Sequence, residues 1–129
     1  MKIKVSEATP LQLDWMVAKC DIKRAVLHDD GITRCIMLET AKGLYAGRFN
    51  PSTDWAQGGP IIEREGISIV RDEGYGYWQA VTDANSGSMF GPGLCGNNFQ
   101  HGPTPLIAAM RCYVVSKLGD EVDVPEELK

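Results

Sequence analysis

Gly102-Pro103-Thr104-Pro105-Leu106-Ile107-Ala108-Ala109-Met110-Arg111-Cys112-Tyr113-Val114-Val115-Ser116-Lys117-Leu118-Gly119 is the stretch that decides the fold. The Thr104 hydroxyl is placed to accept from an orphan N–H of a first helical turn. Pro105 suits the first helical position, where a missing N–H costs nothing. Gly119 suits the left-handed position just past the end. Between these signals the chain is apolar nearly all the way round. Arg111, Ser116 and Lys117 fall on three separate sides of the helical wheel, so no broad polar face exists. A helix of this kind is predicted to be buried, with the rest of the chain wrapped around it.

Working outward, Lys2-Ile3-Lys4-Val5 alternates like a short strand with one face inward. Thr9-Pro10-Leu11 repeats the helix-start signal, and Leu11 to Cys20 reads as a second helix. Leu11, Trp15 and Ala18 share one side of it, while Leu13, Met16, Val17 and Cys20 take much of the opposite side. Two apolar faces call for two neighbours: one is the core, the other is either more of this chain or another subunit. Leu13, Val17 and Cys20, or else Leu11 and Trp15, are therefore candidate homo-oligomer contacts.

Lys23 to His28 and Ile32 to Glu39 read as strands joined through Asp29-Asp30-Gly31, a D-G turn between apolar runs. Leu44 to Phe49 adds a third strand before Asn50-Pro51-Ser52 breaks the pattern. Gly58-Gly59-Pro60 is expected to open a short helical turn, Ile61 to Glu65, closed by Gly66. Ile67 to Val70 and Tyr75 to Thr82 form another strand pair. Residues 83–103, rich in Gly, Asn, Ser and Pro, read as a long flexible loop. Val122-Asp123-Val124 is a candidate edge strand ended by Pro125. Strands clustered between two helices, with no strand–helix alternation, give the α+β class. The expectation is one domain over residues 1–129, with an antiparallel sheet packed against the buried C-terminal helix and a second, N-terminal helix.

Composition narrows the function classes. The chain has 17 acidic and 13 basic residues, a net charge of -4. That balance disfavours an electrostatic grip on nucleic acid. No apolar run is long enough to span a bilayer, and the N-terminus does not read as a signal peptide, so the expected setting is cytoplasmic. Cys20, Cys35, Cys95 and Cys112 form no C-x-x-C pair and read as reduced thiols, with no metal site and no cofactor expected.

Ser52-Thr53-Asp54-Trp55-Ala56-Gln57-Gly58-Gly59-Pro60-Ile61-Ile62-Glu63-Arg64-Glu65-Gly66-Ile67 forms one distinctive block. The late helix, running on to Asp120, forms another, and Asp14-Trp15 and Ala18-Lys19 add to them. With these blocks the chain resembles the NinX-type family of small lambdoid-phage proteins of unknown function. The resemblance implies a phage accessory protein made in an infected bacterium. It brings no activity and no catalytic residues.

Candidate site residues come from the side chains themselves. Asp54, Trp55 and Gln57 put an acid, an aromatic ring and an amide in irregular chain, as binding loops often do. Each also has a structural alternative, as a cap, a core plug or a turn. His101 precedes the late helix, where the helix N-terminus favours anions. It reads equally as a solvated loop histidine. Gly91-Pro92-Gly93-Leu94-Cys95-Gly96 matches G-x-G-x-x-G but lacks the strand–turn–helix setting of a dinucleotide site, so it reads as a chance match. Arg111, alone in an apolar helix, calls for a carboxylate, with Asp14 and Asp54 as candidates. The leading functional expectation is a protein that binds a host or phage protein, with no catalytic residues. The alternative is a small enzyme or small-molecule binder with a pocket near the Asp54-Trp55 loop.

Overall fold

The computed structural model describes residues 1–39, 41–42, 45–82 and 99–128. Helix α1 spans Pro10–Cys20, α2 Trp55–Glu65 and α3 Pro105–Leu118. Among the described residues eight short strands surround them: β1 Lys2–Lys4, β2 Ala25–Asp29, β3 Arg34–Glu39, β4 Tyr45–Arg48, β5 Ser68–Asp72, β6 Tyr77–Val81, β7 Gln100–Gly102 and β8 Glu121–Asp123. The class is α+β, as expected. The strands form three small antiparallel sheets, β1-β8, β2-β3-β4 and β5-β6-β7, instead of one.

Helix α3 organises the molecule. Thr104 Oγ1 accepts from Ile107 N at 3.1 Å and Pro105 opens the first turn. Leu106 to Met110 and Cys112 to Val114 are all buried. The β5-β6-β7 sheet, α1, α2 and β8 all pack on this helix, so its lack of a polar face is matched by neighbours on nearly every side. Gly119 has φ +92°, but ψ -174° puts it outside the left-handed helical region predicted for it.

Helix α1 is closed by a capping box, in which Thr9 Oγ1 accepts from Gln12 N and Gln12 Oε1 accepts from Thr9 N. Its two apolar faces both find partners in this chain, α3 and the β2-β3-β4 sheet. Leu13 and Val17 are completely buried, and Leu11, Trp15 and Cys20 pack partly buried against the same core. Leu13 and Val17 are thus spent on the chain's own core and are not available to a second subunit, while Leu11 and Trp15, the other candidates, stay partly exposed.

Three further boundaries differ from the sequence reading. The β2-β3 hairpin ends at the Asp29–Arg34 pair, leaving four loop residues in place of a tight D-G turn. Asp30 Oδ1 holds that loop by accepting from Ile32 N and Thr33 N. The predicted loop at 83–103 ends early, because Gln100–Gly102 forms β7 on β6. Residues 83–98, with Cys95 and the G-x-G-x-x-G match, lie outside the described residues. Helix α2 begins at Trp55, six residues before the predicted start at Ile61, and holds Pro60 inside it.

Ile22 closes α1 in an unusual way. Lys23 N bonds Ala18 O and Ile22 N bonds Lys19 O, the double bond of a Schellman C-terminus, and Ile22 takes the left-handed position with φ +56°. A β-branched residue is strained there, and Ile22 is 93% exposed, so no packing compensates. Ile22→Gly is expected to raise stability by about 1 kcal/mol in urea denaturation, since it relieves the strain without removing a contact. A loss of stability would show that the isoleucine side chain has an unrecognised structural role.

A polar cluster ties the three helices together beyond that turn. Arg64 of α2 bonds Asp21 at 3.2 Å and the Tyr113 hydroxyl of α3 at 3.0 Å, and the same hydroxyl donates to Asp21. Glu65 bonds Arg64 and pairs with Lys117. The Arg64 hydrogen bond is the main force holding the Glu65 carboxyl below its ordinary value. Every member has a partner, which makes the cluster structural.

Candidate functional site

The N-terminus of α2 carries three of the four sequence-predicted site residues, and their roles separate. Asp54 is the N-cap, its Oδ1 accepting from Ala56 N at 3.1 Å. Gln57 is saturated. Its Oε1 accepts from Asn50 N at 2.9 Å, while Nε2 donates to Arg48 O, Asn50 Oδ1 and Asp54 Oδ2. These bonds brace the connection from β4 into α2. Trp55 is different: it is 56% exposed, so it neither caps the helix nor plugs the core.

The residues read as irregular chain are helical because tertiary packing overrides propensity. Gly58 faces Pro51 and Leu106 so closely that a Cβ would collide with the Pro51 carbonyl oxygen. Pro60 removes the bond to the Ala56 carbonyl, but Ala56 and Pro60 are both exposed and water can serve that oxygen.

Among the described residues Arg111 pairs with no carboxylate, which corrects the expected link to Asp14 or Asp54. Its Nη1 donates to His101 O at 2.7 Å and its Nη2 to Ala8 O at 3.1 Å, while Nε is buried with no acceptor among the described residues. Burial holds the guanidinium below its ordinary value. The lone charge was a true signal, but it serves two backbone carbonyls rather than an acid. Asp14 is instead buried beside the turn before α2, where its Oδ1 accepts from Ser52 N at 2.9 Å. Burial pushes its carboxyl up to about 7.

Two clefts open on the described surface. The larger, about 650 Å³, lies between β1, β7, α3 and the start of β8, and includes Lys4, Tyr77, His101, Arg111, Asp120 and Glu121 in its walls. The smaller, about 260 Å³, is bounded by Asp14, Arg34, Arg48, Asn50 and Thr53 among others. His101 lines the larger cleft, with its exposed ring 4.5 Å from that of Tyr77. Asp54, Trp55 and Gln57 line neither, so the structure does not gather the four predicted residues into one pocket. Lys4 and Tyr77 were not foreseen. Their only sequence signal is the strand alternation that turns Lys4 outward, and the β6-β7 pairing that brings Tyr77 near His101 cannot be read from local pattern.

Cys20 and Cys112 offer little chemistry. Cys112 is buried, and burial pushes the Cys20 thiol up to about 12, far from a reactive thiolate. Among the described residues no group of three His, Cys, Asp or Glu side chains is placed to hold a metal ion, and no helix is long and apolar enough to cross a membrane.

No characterised protein matches the chain in sequence. A family model described as "Bacteriophage P22, NinX" does match, over residues 4–117, which takes in α1, β2 to β7, α2 and nearly all of α3. The chain belongs to the bacteriophage P22 NinX family.

Proposed function

We infer that this phage protein acts by binding another protein, of the host or of the phage, in the cytoplasm of the infected cell, and that Trp55 is the anchor of the contact. The observation that carries this reading is the contrast at the start of α2. Asp54 and Gln57 are consumed by the scaffold, while the large ring between them is left 56% exposed. Tryptophan offers a broad, stiff contact area at little entropic cost, which makes it a frequent hot-spot residue. Mounting it at the capped, Gln57-braced end of a helix fixes its position before any partner arrives. The reading does not require Asp54 or Gln57 to touch the partner.

The alternative with a ligand pocket beside Asp54 and Trp55 has less support, because neither residue faces one of the two clefts. The test is photo-crosslinking in infected cells, with a photoreactive amino acid placed at position 55 and, as a control, at the 93% exposed position 32. One predominant adduct of defined mass is expected at 55 and absent at 32. The same ladder of adducts at both positions would contradict the reading.

A further inference from the structure

We propose that the cleft between β1, β7 and α3 binds a small ligand joining a planar ring to a phosphate or carboxylate, the chemistry of a nucleoside monophosphate or an aromatic acid. The first observation is Arg111. A guanidinium has five N–H donors, and this one has acceptors for two among the described residues, the carbonyls of His101 and Ala8. It lies half-buried at the wall of the cleft, its Nε withdrawn from water, and it forms no ion pair with a carboxylate among the described residues. Such a charge is stabilised by a ligand anion, and a guanidinium suits phosphate and carboxylate in particular.

The second observation is the aromatic wall. The rings of Tyr77 and His101 lie 4.5 Å apart at 46°, and Tyr75 stacks on Tyr77 at 5.6 Å and 17°. Tyr77, His101 and Phe99 all face the cleft, which gives a planar ring an aromatic surface to lie against. The volume of about 650 Å³ is in the usual range for a small-molecule site.

The acidic wall sets the upper limit on ligand charge. Lys4 and Glu121 sit opposite each other in the β1-β8 register and offset each other's charge. Asp120 remains, suited to accept from a ring amine and unsuited to a polyanion. A compact monoanionic or dianionic ring compound therefore fits better than a nucleic-acid strand, consistent with the net charge of -4.

The test is amide-detected NMR titration of the whole protein with AMP, CMP, UMP, 4-aminobenzoate and inorganic phosphate. At least one ring-bearing anion is expected to shift the signals of Lys4, His101 and Gly102 in a saturable way, more strongly than phosphate alone. Nucleotides shifting more than 4-aminobenzoate would assign the anion as phosphate, and the reverse would assign it as carboxylate. Arg111→Lys is expected to weaken binding about 10-fold or more, having lost the planar fork. His101→Ala, at an exposed position, keeps the test valid should the arginine variant unfold, and it is expected to weaken binding about 5-fold. No saturable shift at about 10 mM of every probe, a response equal to that of phosphate alone, or affinity unchanged in both variants would overturn the proposal.

Discussion

Gly58→Ala is expected to remove a large share of the folding stability, while Gly59→Ala, one residue along the same helix, is expected to add to it. An added Cβ at Gly58 would run into the Pro51 carbonyl oxygen and the Leu106 side chain. Leu106 can yield, but the Pro51 carbonyl belongs to the buried turn that enters α2, so backbone must move. A shift of that kind costs about 3 kcal/mol, a large share of the stability of a small domain. A Cβ at Gly59 meets nothing within 4 Å. There the ordinary helix preference for alanine applies, worth about 0.5–1 kcal/mol. Gly102→Ala is a second instance of the first kind, since its Cβ would stand 2.7 Å from Ala108 N on α3. Urea denaturation of the three variants decides the matter. Equal effects at 58 and 59 would mean that α2 does not pack on the Pro51 turn as described.

The second large effect is a dependence on pH that tracks one carboxyl. Asp14 sits 5% exposed with Ser52 N as its donor, and burial lifts it from an ordinary 3.8 to about 7. The folded chain therefore holds this proton more tightly than the unfolded chain. The stability it contributes is complete below about pH 4 and is lost as pH rises through 7. At about 1.4 kcal/mol per pH unit of difference, the loss over that window is on the order of 3–4 kcal/mol. Other carboxyls act in the opposite direction, among them Glu65, which its bond to Arg64 holds low. The quantity to measure is therefore the difference between wild type and Asp14→Asn. Asparagine keeps an oxygen for Ser52 N and has no proton to lose. Its stability relative to wild type is expected to climb by about 3 kcal/mol between pH 4 and pH 8. Parallel curves would show that Asp14 titrates as an ordinary exposed acid.

The elements legible in the sequence were those whose signals are local. Thr104-Pro105 and Thr9-Pro10 mark real helix starts, and an apolar girdle without a polar face gave a buried α3. Alternation and turn residues placed most strands. What escaped the reading depends on distant partners. Gly58-Gly59-Pro60 looks like a helix breaker until Pro51 is seen pressing on Gly58. The second face of α1 looks unpartnered until the β2-β3-β4 sheet is seen packing against it. Arg111 was rightly singled out, but a lone arginine does not say whether carboxylates or carbonyls await it. Of the candidate site, Asp54 and Gln57 turned out to be scaffold. No local pattern distinguishes an amide that binds a partner from one that braces Arg48 and Asn50.

The role proposed for Trp55 is to serve a partner and not the fold. Its most direct test is Trp55→Ala, with denaturation midpoint and retention of the crosslinked partner measured on the same preparation. A ring exposed by 56% should leave a stability cost of about 1 kcal/mol or less, against 3–5 for a buried aromatic side chain. A midpoint close to wild type together with loss of the partner is expected. A variant that keeps its partner, or one that unfolds, would contradict that role.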